Sequence, residues 1–159
     1  MVLVAEPSRA ASRKKDIFGW VERVEIGKSR LKMEAKLDTG ADTSSLDASK
    51  IRRYRERDGD RWVEFLVVEK SSGRRIRYKK RLIRYAYIKE HEGPSQRRPV
   101  VQVEVCLGDH LDEVEVSLVD RSGFQYPVLL GRNALANVAL VDAGESFTTE
   151  PNCPSEDGK

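Results

Sequence analysis

The chain has 159 residues, a net charge of +3, 39% hydrophobic residues and 35% charged residues. That length suits one domain, able to bury roughly 70% of its unfolded surface without help from metal or disulfides, and no stretch nears the roughly 20 apolar residues of a membrane span. The opening MVLVAEPSRAASRKKD holds too short an apolar run for a secretory leader and two cysteines are too few for a disulfide framework, so a cytoplasmic protein with no membrane association is expected.

Residues 1–16 are polar, small and basic and read as a disordered segment. The domain is expected over 17–149. FGWVERVEIG opens an alternating pattern, IGKSR reads as a hairpin turn, and RLKMEAKL alternates cleanly, with Leu31, Met33, Ala35 and Leu37 against Lys32, Glu34 and Lys36. Period two means a strand with one buried face. WVEFLVVEK is a further strand, SSGRR a turn, and RIRYKKRLIRYAYIK a charged strand or strand pair. EHEGPSQRRP breaks the pattern with Gly93, Pro94 and Pro99. VVQVEVCLG and DEVEVSLVD alternate again around the turn LGDHLD. PVLLG is an apolar run, GRNALANVAL a short helix, and 150–159 a flexible polar tail. Many short strands with one short helix predict an all-β fold, a small barrel or sandwich.

Charge is uneven along the chain. Residues 50–84 carry 14 Lys/Arg and 5 Asp/Glu, a balance of +9, which leaves −6 for the remainder. Such a block suits a solvated strand face or an anionic partner. Tyr54, Trp62, Tyr78, Tyr85 and Tyr87 interleave with it, as stacking platforms for RNA would. No RNP-like motif accompanies them, and nucleic acid is the weaker reading.

The chemistry-bearing segment is LDTGADTSSL at 37–46, directly after an amphipathic strand. Asp38 leaves the strand end on a tight turn. The Thr39 hydroxyl and the Gly40 N–H can fix its carboxylate, and Gly40 permits close backbone approach. Three letters alone fit a β-turn with an Asx hydrogen bond equally well. Ninety-odd residues later the chain reads PVLLGRNAL, 127–135. Together the two segments resemble the retropepsins, the retroviral-type aspartic proteases, with VVQVEVCLGDHLDEVEVSLVD resembling the two strands that precede the Gly-Arg-Asn segment there. DRSGFQYPVLLGR resembles more closely the bacterial retropepsin-like proteins called ATP-dependent zinc proteases, a group associated with ligases that add glutamate to ribosomal protein tails.

The resemblance implies a small closed barrel of acid-protease type and an aspartic endopeptidase of peptide or protein substrates. Asp38, Thr39 and Gly40 would form the catalytic loop, Ala41 and Asp42 would contact substrate, and Gly131, Arg132 and Asn133 would support the site, with Arg132 the expected partner of Asp42. A buried Arg–carboxylate fork is intolerant of Lys, whereas an exposed pair is worth under about 1 kcal/mol. Aspartic proteolysis needs two carboxylates sharing a proton, and the chain has one Asp-Thr-Gly. Asp142-Ala143-Gly144 lacks the hydroxyl residue and reads as a strand-end aspartate. A homodimer pairing two copies of Asp38 is therefore expected.

The zinc label finds no support in the residues. His91-Glu92 is followed by Gly93-Pro94 rather than a helix with a second His, Cys106 beside Asp109 and His110 reads as a buried strand residue, and no Walker motif is present; no cofactor or metal is expected. The flap of a retropepsin has its best counterpart in 90–99, for which a plain surface loop is the other reading. If it is a flap, Arg97 and Arg98 would bind substrate and favour acidic or glutamylated peptides. The alternative function is a non-catalytic retropepsin-like module serving a ligase or a ribosomal protein.

Overall fold

The computed structural model describes residues 14–155. Eleven strands and one helical turn follow in order: β1 (Asp16–Ile26), β2 (Leu31–Leu37), β3 (Ser44–Asp47), β4 (Ser49–Arg55), β5 (Arg61–Val68), β6 (Arg75–Arg81), β7 (Arg84–Ile88), β8 (Gln96–Leu107), β9 (His110–Val119), β10 (Val128–Leu130), α1 (Arg132–Leu135) and β11 (Ala139–Ser146). The alternation read from the sequence sets the inner faces. Leu31, Met33, Ala35 and Leu37 on β2, Val101, Val103 and Val105 on β8, and Val114, Val116 and Leu118 on β9 all point into one core. The fold is all-β, as expected.

Strands β1, β2, β10, β3, β9 and β8 form a ring, closed where Glu25 and Ile26 of β1 pair with Cys106 and Val105 of β8. Strands β11 and β7 flank it. The β1–β2 turn needs a left-handed residue, supplied by Gly27 at φ +68°. The placement of β10 matters most. It is only three residues long, yet it lies between β2 and β3, parallel to β2 with Leu130 opposite Leu37 and antiparallel to β3 with Val128 opposite Leu46. Burial of Val128 and Leu130 holds this short strand in the centre of the sheet, where it pairs along both edges.

Between β3 and β7 lies a second sheet, β4–β5–β6, which absorbs the long spacing between the two motifs. Its inner face, Val63, Phe65 and Val67, is fully buried and joins the barrel core. Phe65 stacks on Tyr78 with ring centroids 5.5 Å apart. Truncating Phe65 to alanine would cost about 3–5 kcal/mol.

After β11 the chain crosses back over the barrel. Phe147 N–H donates to Val21 O at 2.8 Å, and Asn152 N–H to Gly108 O at 2.6 Å. The carboxylate of Glu22, fully buried, accepts from Gly19 N–H at 2.7 Å and Thr148 N–H at 3.0 Å, and from the Thr148 hydroxyl. Three residues of the segment, Phe147, Thr148 and Asn152, are thus pinned, and the buried carboxylate has the donors that its burial requires. Cys153 is joined to Cys106 in a disulfide. Cys106 is a buried strand residue, as expected, and the disulfide is an addition that the sequence did not announce. It joins Cys106 to a residue 47 positions on, brought back by the crossing segment. The described part of the expected tail, 150–155, belongs to this crossing. The expected N-terminal segment lies outside the described residues as far as residue 13, and Asp16 already opens β1. Among the described residues no helix is long and apolar enough to cross a membrane.

Candidate active site

Strand β2 ends at Leu37, and the next residue turns out of the sheet. Asp38 N–H donates to Leu130 O at 2.8 Å, so the turn is tied to the end of β10 at once. The Asp38 carboxylate accepts from Gly40 N–H at 3.0 Å, and Ala41 N–H returns to Asp38 O at 3.2 Å. The side chain is 30% exposed. A carboxylate held by a backbone N–H on a rigid turn and still open to solvent is an aimed acid.

The parallel register of β10 with β2 brings Gly131, Arg132 and Asn133 beside this turn, although 93 positions separate Asp38 from Gly131. The approach is close. A Cβ at Gly131 would lie 2.3 Å from Thr43 O and 2.8 Å from Ala41 O, so only glycine fits between the loops. Arg132 N–H donates to Ala41 O at 2.8 Å, and its guanidinium donates to Thr39 O at 3.0 Å and pairs with the Asp42 carboxylate. Asn133 Oδ1 accepts from the Ser44 hydroxyl at 2.7 Å, and Asn133 Nδ2 donates to Glu115 O at 2.9 Å. Residues 38–44 and 131–133 therefore form one hydrogen-bonded unit. The Arg132–Asp42 pair is exposed, at 49% and 83% for the two side chains.

Several contributors to this unit escape a reading of the sequence. Ser44, buried, gives its hydroxyl to Asn133 and accepts Gly131 N–H at 3.0 Å, stitching the two loops. Lys36 shares the strand face of Asp38, two positions before it, and places Nζ 3.9 Å from Asp38 Oδ2; the period-two pattern was its only signal. Arg121, buried, donates to the Ser45 hydroxyl at 2.9 Å and to Tyr126 O at 3.1 Å, while its N–H reaches Asp47 Oδ1 at 2.7 Å. It fastens the segment entering β10 to β3. Burial, then the like charge of Arg98, pulls its guanidinium below the ordinary range.

Other expected site residues lie apart. Segment 90–99 forms the tip of the β7–β8 hairpin and the start of β8. Arg97 stacks on the Tyr85 ring at 4.2 Å, and Arg98 donates to Gln96 Oε1 at 2.9 Å. Within one chain no described hydrogen bond or ion pair joins either arginine to residues 38–42. Asp142 sits in β11 and accepts Gly144 N–H at 2.9 Å. His91 stands at the hairpin tip rather than on a helix. His110 lies at the β8–β9 turn, Nε2 2.8 Å from Asp16 Oδ2 and 3.5 Å from Asp109 Oδ1, a group remote in sequence from Asp38 with Cys106 excluded by its disulfide.

A family model described as retropepsin-like aspartic endopeptidase RimB matches residues 17–152. The chain belongs to this RimB-like family. Its relatives include the probable alpha-L-glutamate ligase of Shewanella halifaxensis, 38% identical over 117 residues that cover 72% of this chain and 25% of that protein. The probable alpha-L-glutamate ligase of Desulfotalea psychrophila is 32% identical over 125 residues, covering 77% of this chain and 26% of that protein. The chain thus spans about a quarter of the length of these curated relatives. Among solved structures, the Legionella pneumophila protein Lpg0085, of unknown function, superimposes with a TM-score of 0.73 at 33% identity, covering 86% of this chain and all of that one. Membership of a retropepsin-like family agrees with the pairing of the Asp38 and Gly131 loops.

Proposed function

We propose that the chain is an aspartic endopeptidase that works as a homodimer, with the two Asp38 carboxylates meeting on the two-fold axis. The observation that carries this reading is the aimed, half-open Asp38 carboxylate, locked to the Gly131–Asn133 segment and present once per chain. Among the described residues, two hollows, one against Glu25, Arg30 and Cys153 and one against Arg23, Lys32 and Gln125, are lined by residues other than Asp38. An acid that needs a second carboxylate and occurs in one Asp-Thr-Gly per chain suits a site completed by a second copy.

Two carboxylates in contact hold one proton between them. The ionised one takes a proton from a water as the water oxygen bonds to the scissile carbonyl carbon, and its partner gives its proton to the carbonyl oxygen. In the second step the amide nitrogen takes a proton from the dyad, one hydroxyl of the tetrahedral intermediate returns a proton, and the C–N bond breaks. The dyad ends with the single proton with which it began. The β7–β8 hairpin would act as the flap, bringing Arg97 and Arg98 over the substrate.

The substrate class proposed is acidic or glutamylated peptide. Support comes from the relatives named as probable glutamate ligases, in which the matching stretch is joined to a larger chain, and from the basic hairpin. That fusion also favours the second reading, a retropepsin-like module that binds a ligase or a ribosomal protein without cleaving. Sedimentation of the pure protein, together with peptide-library digests by wild type and Asp38→Asn, separates the two. A dimer, cleavage by wild type and silence from Asp38→Asn support the peptidase. Equal activity in both proteins, or no cleavage under acidic and neutral conditions, overturns it.

A further inference from the structure

The solvent face of the β4–β5–β6 sheet has no part in the site above. Its inner residues close the barrel core, and its outer residues follow from the register. Tyr54, Trp62 and Arg81 form one row across the sheet, Arg52, Glu64 and Lys79 the next, then Leu66 with Arg77 and Val68 with Arg75. Five cations thus stand on one face with Glu64 as the one strand acid. Glu56 and Asp60, from the β4–β5 turn, pair with Lys79 at 2.5 Å and Arg81 at 2.6 Å, and Glu64 pairs with Arg52 at 3.0 Å. Arg75 and Arg77 are exposed and have no carboxylate partner among the described residues.

We propose that this face is a docking surface for an acidic polypeptide, a segment carrying a run of Glu or Asp side chains in extended form. Three observations favour it. First, the cations are held in place: Lys79 and Arg81 sit 4.8 and 5.3 Å from the Trp62 ring and Arg52 sits 4.8 Å from the Tyr54 ring, so less side-chain freedom is lost when an anion arrives. Second, Arg75, Arg77, Lys79 and Arg81 alternate along β6, which places them about 7 Å apart. An extended acidic segment presents every second carboxylate on one side at the same repeat. Third, Arg75 and Arg77 stand exposed at one end of this row with no carboxylate partner among the described residues, so two cations of the repeat can take an incoming acid without displacing one of the chain's own. Nucleic acid fits less well, because the ring faces a base would stack on are already covered by the chain's own cations.

The surface is independent of proteolysis, and binding alone tests it. Anisotropy of a labelled oligo-glutamate peptide is measured against the full chain, with an oligo-glutamine peptide and a single-stranded RNA of matched length as competitors. The expected result is salt-sensitive binding of oligo-glutamate, no competition by oligo-glutamine and weaker competition by RNA. The Arg75→Glu/Arg77→Glu variant should bind about tenfold more weakly, since two exposed charge contacts are lost. Lys14→Glu/Lys15→Glu, the same change in net charge away from the sheet, should bind within about twofold of wild type. Unchanged affinity in the Arg75/Arg77 variant assigns any acid binding to another surface and overturns the proposal, while leaving the Asp38 reading intact. Equal losses in both variants, stronger binding of RNA, or no binding of oligo-glutamate by wild type overturn it as well.

Discussion

Replacing Gly131 by alanine tests whether the two loops of the candidate site are one mechanical unit. The Cβ it adds would lie 2.3 Å from Thr43 O, about 1 Å inside ordinary contact, and 2.8 Å from Ala41 O. Both atoms are backbone, so no rotamer change relieves the clash. Either the 38–44 turn retreats or β10 slides out of its place between β2 and β3. Retreat of Ala41 by that distance breaks its bond from Arg132 N–H, now 2.8 Å, and loosens the Ser44 bond to Gly131 N–H, now 3.0 Å. Overpacking of this kind costs about 1–3 kcal/mol, and a broken backbone hydrogen bond adds about 1 kcal/mol, for a loss of about 2–4 kcal/mol. Urea unfolding followed by tryptophan fluorescence measures it. Under the proposed peptidase function, a displacement of about 1 Å at Asp38 would lower kcat/KM by about a hundredfold. A Gly131→Ala protein with the unfolding midpoint of wild type and unchanged cleavage would refute the claim that the loops are held in contact.

Four further outcomes are expected. Arg132→Lys should change stability by less than about 1 kcal/mol, because its pair with Asp42 is exposed, yet it should reduce activity, because an ammonium cannot serve Thr39 O and Asp42 together; equal kcat/KM in both proteins would show that the fork is idle. Glu22→Gln should cost about 1–3 kcal/mol, since the amide oxygen can keep the bonds now made to Oε1 while the NH2 group replaces Oε2 and faces the Thr149 N–H, now 3.3 Å from it, and a chemical melt like that of wild type would refute this. The Ser72 hydroxyl above all, with Lys32 N–H and Arg74, holds the Glu69 carboxyl below its ordinary value; its contribution is therefore present above the unfolded-state pKa and lost as pH falls through the lower folded value. The stability gap between wild type and Glu69→Gln should accordingly be full at pH 7 and shrink in acid, and a gap that widened in acid would reverse the assignment. Reduction of the Cys106–Cys153 bridge, which spans 47 positions, should lower stability by up to about 4 kcal/mol on chain-entropy grounds. Whether the pair is bridged or held as thiols follows the redox state of the compartment, and mass spectrometry of alkylated protein from cells reads it directly.

The sequence by itself determined the all-β class, the inner faces of β2, β8 and β9, and the place of Asp38 on a turn at the end of β2. Those are local properties: a period of two dictates which side chains are buried, and Asp-Thr-Gly after an amphipathic strand announces an acid on a turn. Only the tertiary structure decided what stands beside that acid. The insertion of three-residue β10 between β2 and β3 depends on pairings across more than 80 positions, and no local pattern encodes them. The same holds for Arg121, one of 29 basic residues, which is buried because Ser45, Asp47 and Tyr126 converge on it. It holds too for Cys153, whose partner is chosen by the return of the chain over Glu22. Short-range periodicity selects the faces of strands, whereas the register between distant strands selects neighbours, and a chemical site is made of neighbours.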